Sequence, residues 1–94
     1  MPLKHNSYFD AAVQSIGFEH DGARLSAGVM DAGEYTFDTA APERMTVTHG
    51  ELVVRLPGTD DWAKFGPGES FDVPADSAFD LRVGSPTAYL CEYL

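Results

Sequence analysis

The chain has 94 residues and a mass of 10.2 kDa, which folds to roughly 5,300 Å² of surface against about 15,000 Å² extended, enough for one modest core. One domain spanning residues 1–94 is therefore expected. Six Lys and Arg against 15 Asp and Glu leave a net charge of −9, which excludes nucleic-acid and anionic-membrane partners because phosphate binding needs clustered cations. The acidity itself reads as solubility. A hydrophobic share of 44% excludes a disordered chain. No apolar run follows Met1–Asn6, and none approaches the ~18 residues of a membrane helix, so a soluble, cytoplasmic protein is expected. Alternating strands follow in chain order: Ala12–Phe18, Arg24–Met30 and Gly33–Phe37, with Tyr35 and Phe37 on one side. Glu43–His49 comes next, then Glu51–Leu56, where Leu52, Val54 and Leu56 share a face. Trp62–Phe65, Phe71–Val73, Ala78–Val83 and Thr87–Leu94 complete nine short strands.

Turn chemistry separates nearly all of them: Asp21-Gly22, Asp31-Ala32-Gly33, His49-Gly50, Pro57-Gly58, Gly66-Pro67-Gly68, Pro74-Ala75-Asp76 and Gly84-Ser85-Pro86. No 3.6-residue period persists beyond two turns. Many short strands at this spacing predict an all-β sandwich or barrel with its edges closed or covered. Cys91 is the only cysteine, so no internal disulfide or zinc knuckle is available. Within the apolar run Tyr89-Leu90-Cys91 it reads as a buried thiol rather than a nucleophile. Tyr93 and Leu94 read as a last strand or a dimer contact rather than a site.

Two spacings go further. In the first, Glu43 is followed after six residues by Gly50; in the second, Gly68 is followed after five residues by Pro74 and then by Asp76. In this order they resemble the two signature motifs of the cupin superfamily, which implies a cupin-type jelly-roll β-barrel. Glycine turns the chain between neighbouring strands, and proline stiffens a turn without needing a ladder hydrogen bond. The departures from the motifs are informative. The superfamily's histidine pair falls around Phe37 and Thr39, its third histidine on Phe79, and its Pro-x-Gly glycine on Asp76. Of the usual metal ligands only Glu43 survives, and His5, His20 and His49 are scattered. One carboxylate without imidazoles is a poor transition-metal site, so no metal and no cofactor are expected.

A closer resemblance covers almost the whole chain. Asn6-Ser7-Tyr8-Phe9, Ser15-Ile16-Gly17-Phe18, Gly28-Val29-Met30, Gly33-Glu34-Tyr35-Thr36-Phe37, Pro42–Val47 and Tyr89–Leu94 resemble the short bacterial pyrimidine/purine nucleoside phosphorylases, single-domain cupins of about this length. The resemblance implies phosphorolysis of nucleosides to a free base and α-D-ribose 1-phosphate, with broad base tolerance, phosphate as co-substrate, and a homodimer.

Such a reaction builds positive charge on the ribose ring and needs a phosphate clamp, an anchor for the ribose hydroxyls and a face for the base. Arginine suits the clamp because its planar fork holds two phosphate oxygens. Arg24 is the first candidate, set against a surface ion pair, and Arg44 the second. Arg55 and Arg82 alternate with apolar residues and point outward. Glu43, in the surviving ligand slot, is the candidate for the ribose hydroxyls and the ring charge, set against a structural carboxylate. Tyr35, Phe37, Phe71 and Phe79 are the candidate base wall, set against plain core packing. Thr39 offers a hydroxyl. The alternative function is a non-catalytic small-ligand-binding cupin. A metal-free epimerase would need an inward base, usually histidine, and none is evident.

Overall fold

The computed structural model describes residues 3–94, and among them there is no helix. Ten strands follow in chain order: β1 (Lys4–Tyr8), β2 (Val13–His20), β3 (Ala23–Met30), β4 (Gly33–Thr39), β5 (Glu43–His49), β6 (Leu52–Arg55), β7 (Ala63–Phe65), β8 (Ser70–Val73), β9 (Ser77–Val83) and β10 (Thr87–Tyr93). They form a six-stranded sheet, β1-β2-β3-β10-β5-β8, and a four-stranded sheet, β4-β9-β6-β7. All pairings are antiparallel. The two sheets do not close into a barrel, which corrects the expectation of a sealed wall: β4 keeps a free edge.

Nine of the strands match the expected ones to within a few residues; β1 was not expected. Its residues are exposed on both faces apart from Asn6, so it carries no alternation of hydrophobicity to read. Pairing with β2 in register from Lys4↔Gly17 to Tyr8↔Val13 holds it in place.

Side chains facing between the sheets build one core. Met45, Val47, Phe71, Val73, Val13 and Met30 come from the larger sheet, and Leu52, Val54, Phe79, Leu81 and Val83 from the smaller, all 5% exposed or less. On the smaller sheet's outer face Arg82 and Arg55 lie over the Trp62 ring, at 3.9 and 5.1 Å from its centre.

Both motif turns have a physical cause in the fold. Gly50 has φ of 90°, and a Cβ there would stand 2.5 Å from the Thr87 hydroxyl, so only glycine fits the corner where β5 leaves the larger sheet. Asp76, in the place of the superfamily's glycine, also has positive φ, 52°. Aspartate tolerates that region better than most residues.

Candidate functional site

Directly opposed residues of an antiparallel pair point to the same face, so the registers lay out the inner face of the six-stranded sheet as cross-strand rows. One row is Glu19–Arg24–Tyr93–Glu43–Val73, and the next is Gly17–Ser26–Cys91–Met45–Phe71. A third runs Ser15–Gly28–Tyr89–Val47. Toward β8 these rows end in buried apolar residues. Over β2, β3 and β10 they carry hydroxyls and a glycine, and there a cavity of about 490 Å³ opens. Its floor includes Ser15, Ser26, Tyr89, Cys91, Tyr93 and Glu43. Its opposite wall is the free edge of β4 at Thr36, Phe37 and Asp38, and Tyr8 and Phe9 border it from the end of β1.

Glu43 opens β5 half-buried in this cavity. Its Oε1 accepts the Cys91 thiol at 3.4 Å. Burial pushes the Glu43 carboxyl above its ordinary value, and the Cys91 bond pulls it partly back. Burial, then the neighbouring Glu43 charge and the bond to it, pushes the thiol up to about 12. Cys91 therefore stays protonated near neutral pH and serves Glu43 as a donor rather than acting as a nucleophile.

Tyr93 places its hydroxyl 3.2 Å from Ser26 Oγ. Burial raises its pKa, opposed by the Ser26 bond. Tyr89 is raised further by burial, with Ser15 drawing it back. Its ring lies over Gly28: a Cβ on that residue would stand 2.5 Å from Tyr89 Cζ and from its hydroxyl oxygen. Gly28 thus leaves the room through which the Tyr89 phenol reaches the cavity floor.

The expected site residues divide by location. Glu43 and Phe37 line the cavity. Arg24 is exposed in the same row as Glu43, with its guanidinium 5.2 Å from the centre of the Tyr93 ring. The other three arginines form ion pairs: Arg44 with Asp72 at 2.8 Å, Arg82 with Glu34 at 3.3 Å, and Arg55 with Asp80. Arg24 makes no ion pair among the described residues. Arg44 forks onto Asp72 outside the cavity and holds that carboxyl below the usual carboxylate range.

Tyr35 sits behind Phe37, with its hydroxyl donating to the Asp31 carbonyl at 2.7 Å. Thr39 is buried beside the Pro74 turn, its hydroxyl 2.6 Å from the Pro74 carbonyl and accepting the Ser77 amide at 3.1 Å. Phe71 and Phe79 meet edge to face inside the core. His5, His20 and His49 are exposed and apart, and among the described residues no three His, Cys, Asp or Glu side chains gather as a metal site would require.

Sequence reading missed Tyr8, Phe9, Ser15, Ser26 and Tyr89 as site residues and assigned Tyr93 elsewhere. None of them carries a signal of its own: Tyr8 ends and Phe9 follows a strand exposed on both faces, and Ser15, Ser26 and Tyr89 stand singly in strands where inward and outward positions look alike.

Residues 3–93 match the family described as pyrimidine/purine nucleoside phosphorylase. A protein of that name from Vibrio atlanticus (strain LGP32) is 60% identical over 92 residues, 98% of this chain and 99% of that protein. The chain belongs to the pyrimidine/purine nucleoside phosphorylase family. Membership makes it an enzyme, which sets aside the non-catalytic alternative. Among solved structures, a protein of unknown function from Vibrio parahaemolyticus superimposes with a TM-score of 0.97 at 55% identity, covering all of both chains. A cupin superfamily protein from Desulfitobacterium hafniense DCB-2 superimposes with a TM-score of 0.71 at 18% identity, over 87% of this chain and 76% of that one. The fold of this phosphorylase family member is accordingly the cupin jelly roll, here with its two sheets open to each other along β4.

Proposed function

We propose that this cavity carries out phosphorolysis: nucleoside plus phosphate gives a free base and α-D-ribose 1-phosphate. The observation that carries the reading is the cavity's two-sided lining, a half-buried carboxylate and hydroxyls on one side and aromatic rings on the other. Arg24, without an ion pair among the described residues, stands in the same row as the carboxylate. Its volume lies within the roughly 300–1,000 Å³ of small-molecule sites.

Phosphate attacks the anomeric carbon as the N-glycosidic bond breaks. The bonding pair leaves with the base, which takes up the proton that monohydrogen phosphate gives up as the ester forms. Arg24 holds phosphate oxygens with its fork, and Tyr93 beneath it keeps the guanidinium in place. The Glu43 carboxylate accepts from the ribose 2′- and 3′-hydroxyls and stabilises the charge growing on the ring. The Tyr93–Ser26 pair extends that polar anchor. Phe37 gives the base a π-face that any purine or pyrimidine fills, hence broad specificity.

Phosphate is the nucleophile, so neither a covalent enzyme intermediate nor a metal is assigned. Dialysis against a chelator should leave turnover unchanged; loss restored by an added divalent ion would overturn that assignment. Uridine and adenosine should release base only when phosphate is present. Release without phosphate would mark a hydrolase and end the phosphorolysis reading. We place the reaction in the cytoplasm, where both substrates occur.

We also infer a homodimer through the outer face of β2, β3 and β10. Ile16 and Val29 are 37% and 51% exposed there, beside a groove of about 780 Å³ lined by a single carboxylate, Asp31. A second copy of a chain carrying −9 approaches most favourably at a face so poor in like charge. Val29→Lys should halve the sedimenting mass; an unchanged mass would overturn this interface.

A further inference from the structure

We propose that Phe9 is a base-stacking residue, clamping the nucleobase against Phe37 from a strained left-handed turn. The proposal rests on the phosphorolysis reading, since it names the base as the group between the two rings.

Phe9, Asp10 and Ala11 have φ of 54°, 53° and 69°. None is glycine, and successive non-glycine residues in this region are disfavoured because Cβ crowds the backbone. Strain of this kind persists only where surrounding structure enforces it, and it clusters at ligand clamps. Here the Ala12 amide donates to the Phe9 carbonyl at 3.0 Å, and the Asp31 amide donates to the Ala12 carbonyl at 2.8 Å. The first closes the turn on itself, and the second ties it to Asp31 at the end of β3, where the chain turns toward β4.

The consequence is the position of one ring. Phe9 reaches across from the six-stranded sheet to the four-stranded one, stacks on Phe37 at 19° with centres 5.6 Å apart, and tilts against Tyr35 at 5.0 Å. It is nevertheless 46% exposed, so it is not core. The two partners are anchored differently. Phe37 is backed edge to face by the buried Phe79 at 5.7 Å, whereas Phe9 has water on its outer side. Phe37 is the fixed jaw and Phe9 the movable one. A planar base needs about 3.5 Å to each ring, so the two centres, now 5.6 Å apart, part to about 7 Å as Phe9, the more exposed ring, swings outward. Recognition through π-faces alone is tolerant of the base.

The test compares the wild type with Phe9→Leu, which keeps apolar cover but has no π-face, and with Phe9→Trp, which keeps one. Each protein is assayed with uridine and adenosine at saturating phosphate, and for inhibition by ribose 1-phosphate, a ligand without a base. Stacking on one ring corresponds to roughly five- to 150-fold in affinity. Phe9→Leu is expected to raise KM for both nucleosides about tenfold while the ribose 1-phosphate inhibition constant stays within about twofold; Phe9→Trp keeps KM near wild type. Equal weakening toward nucleoside and ribose 1-phosphate would show Phe9 to be a general cover and overturn the proposal, as would an unchanged KM in Phe9→Leu or a loss in Phe9→Trp matching it. Absence of phosphate-dependent release by the wild type would sink the phosphorolysis reading by itself. Calorimetric binding of adenosine to the wild type and Phe9→Leu then decides the stacking claim separately, and equal affinities overturn it.

Discussion

Two halves of one sheet face behave differently although the same rows cross both. Over β5 and β8 the inner face is Met45, Val47, Phe71 and Val73, packed against Phe79 and Leu81 of the facing sheet and 0–5% exposed. Over β2, β3 and β10 the same rows carry Ser15, Ser26, Gly28 and Tyr93, and the facing sheet stops at the free edge of β4. Apolar side chains seal the first half, because contacts between them keep water out. Hydroxyls and a missing Cβ hold the second half open. Glu43 and Cys91 stand at the boundary, where a carboxylate is half withdrawn from water without being sealed. Stability should therefore live in one half and turnover in the other.

Substitutions can break that division. Phe79→Ala should cost about 3–5 kcal/mol of unfolding free energy, seen as a lower denaturant midpoint. Glu43→Gln should lower kcat by about 10²–10³-fold with the midpoint nearly unmoved. If Glu43→Gln instead unfolds the protein and keeps its turnover, the carboxylate is structural and the division fails. Arg24→Ala should raise the KM for phosphate by roughly tenfold or more, as loss of a charge-assisted bond predicts, and leave nucleoside binding little changed. Gly28→Ala should cost about 1–3 kcal/mol, because the new Cβ meets the Tyr89 ring and, at 2.8 Å, the Gln14 carbonyl oxygen. It should weaken substrate as well, since the displaced ring lines the cavity; full activity would place the substrate elsewhere.

The smallest expected effect concerns pH. The folded pKa of Glu43 lies above its ordinary value of 4.5, so in that interval the folded state binds more protons than the unfolded one. Stability then declines as pH climbs from 4.5 through the raised folded value. Glu43→Gln should flatten that decline. The ionised form is the working one, so kcat/KM should rise across the same interval. Cys91→Ala removes a bond that lowers the Glu43 pKa, and the acid limb should move up. A limb that moves down or stays in place would contradict the role given to Cys91.

The two halves also differed in how readily they could be read from sequence. The sealed half follows from periodicity, because Leu52-Val53-Val54, Phe71-Asp72-Val73 and Phe79-Asp80-Leu81 alternate as half-buried strands must. Its limits come from direction. Phe71 and Phe79 stand where the superfamily's pattern suggested a site, yet the facing sheet covers them, and only the sheet order reveals that. In the open half, Glu43 was legible from its spacing to Gly50. Ser15, Ser26 and Tyr89 were not, since an isolated serine or tyrosine in a strand looks the same inward or outward. Phe9 was hidden for another reason: its turn contains no glycine or proline, so nothing marked a reversal there, and β1 before it has no buried face.

A structure of the protein with ribose 1-phosphate bound decides which face of the six-stranded sheet holds the substrate. The sugar should lie between Glu43 and the Tyr93–Ser26 pair, with its hydroxyls on the carboxylate and its phosphate on Arg24. A ligand seated in the groove on the outer face of β2, β3 and β10, with the Glu43 cavity empty, would contradict it.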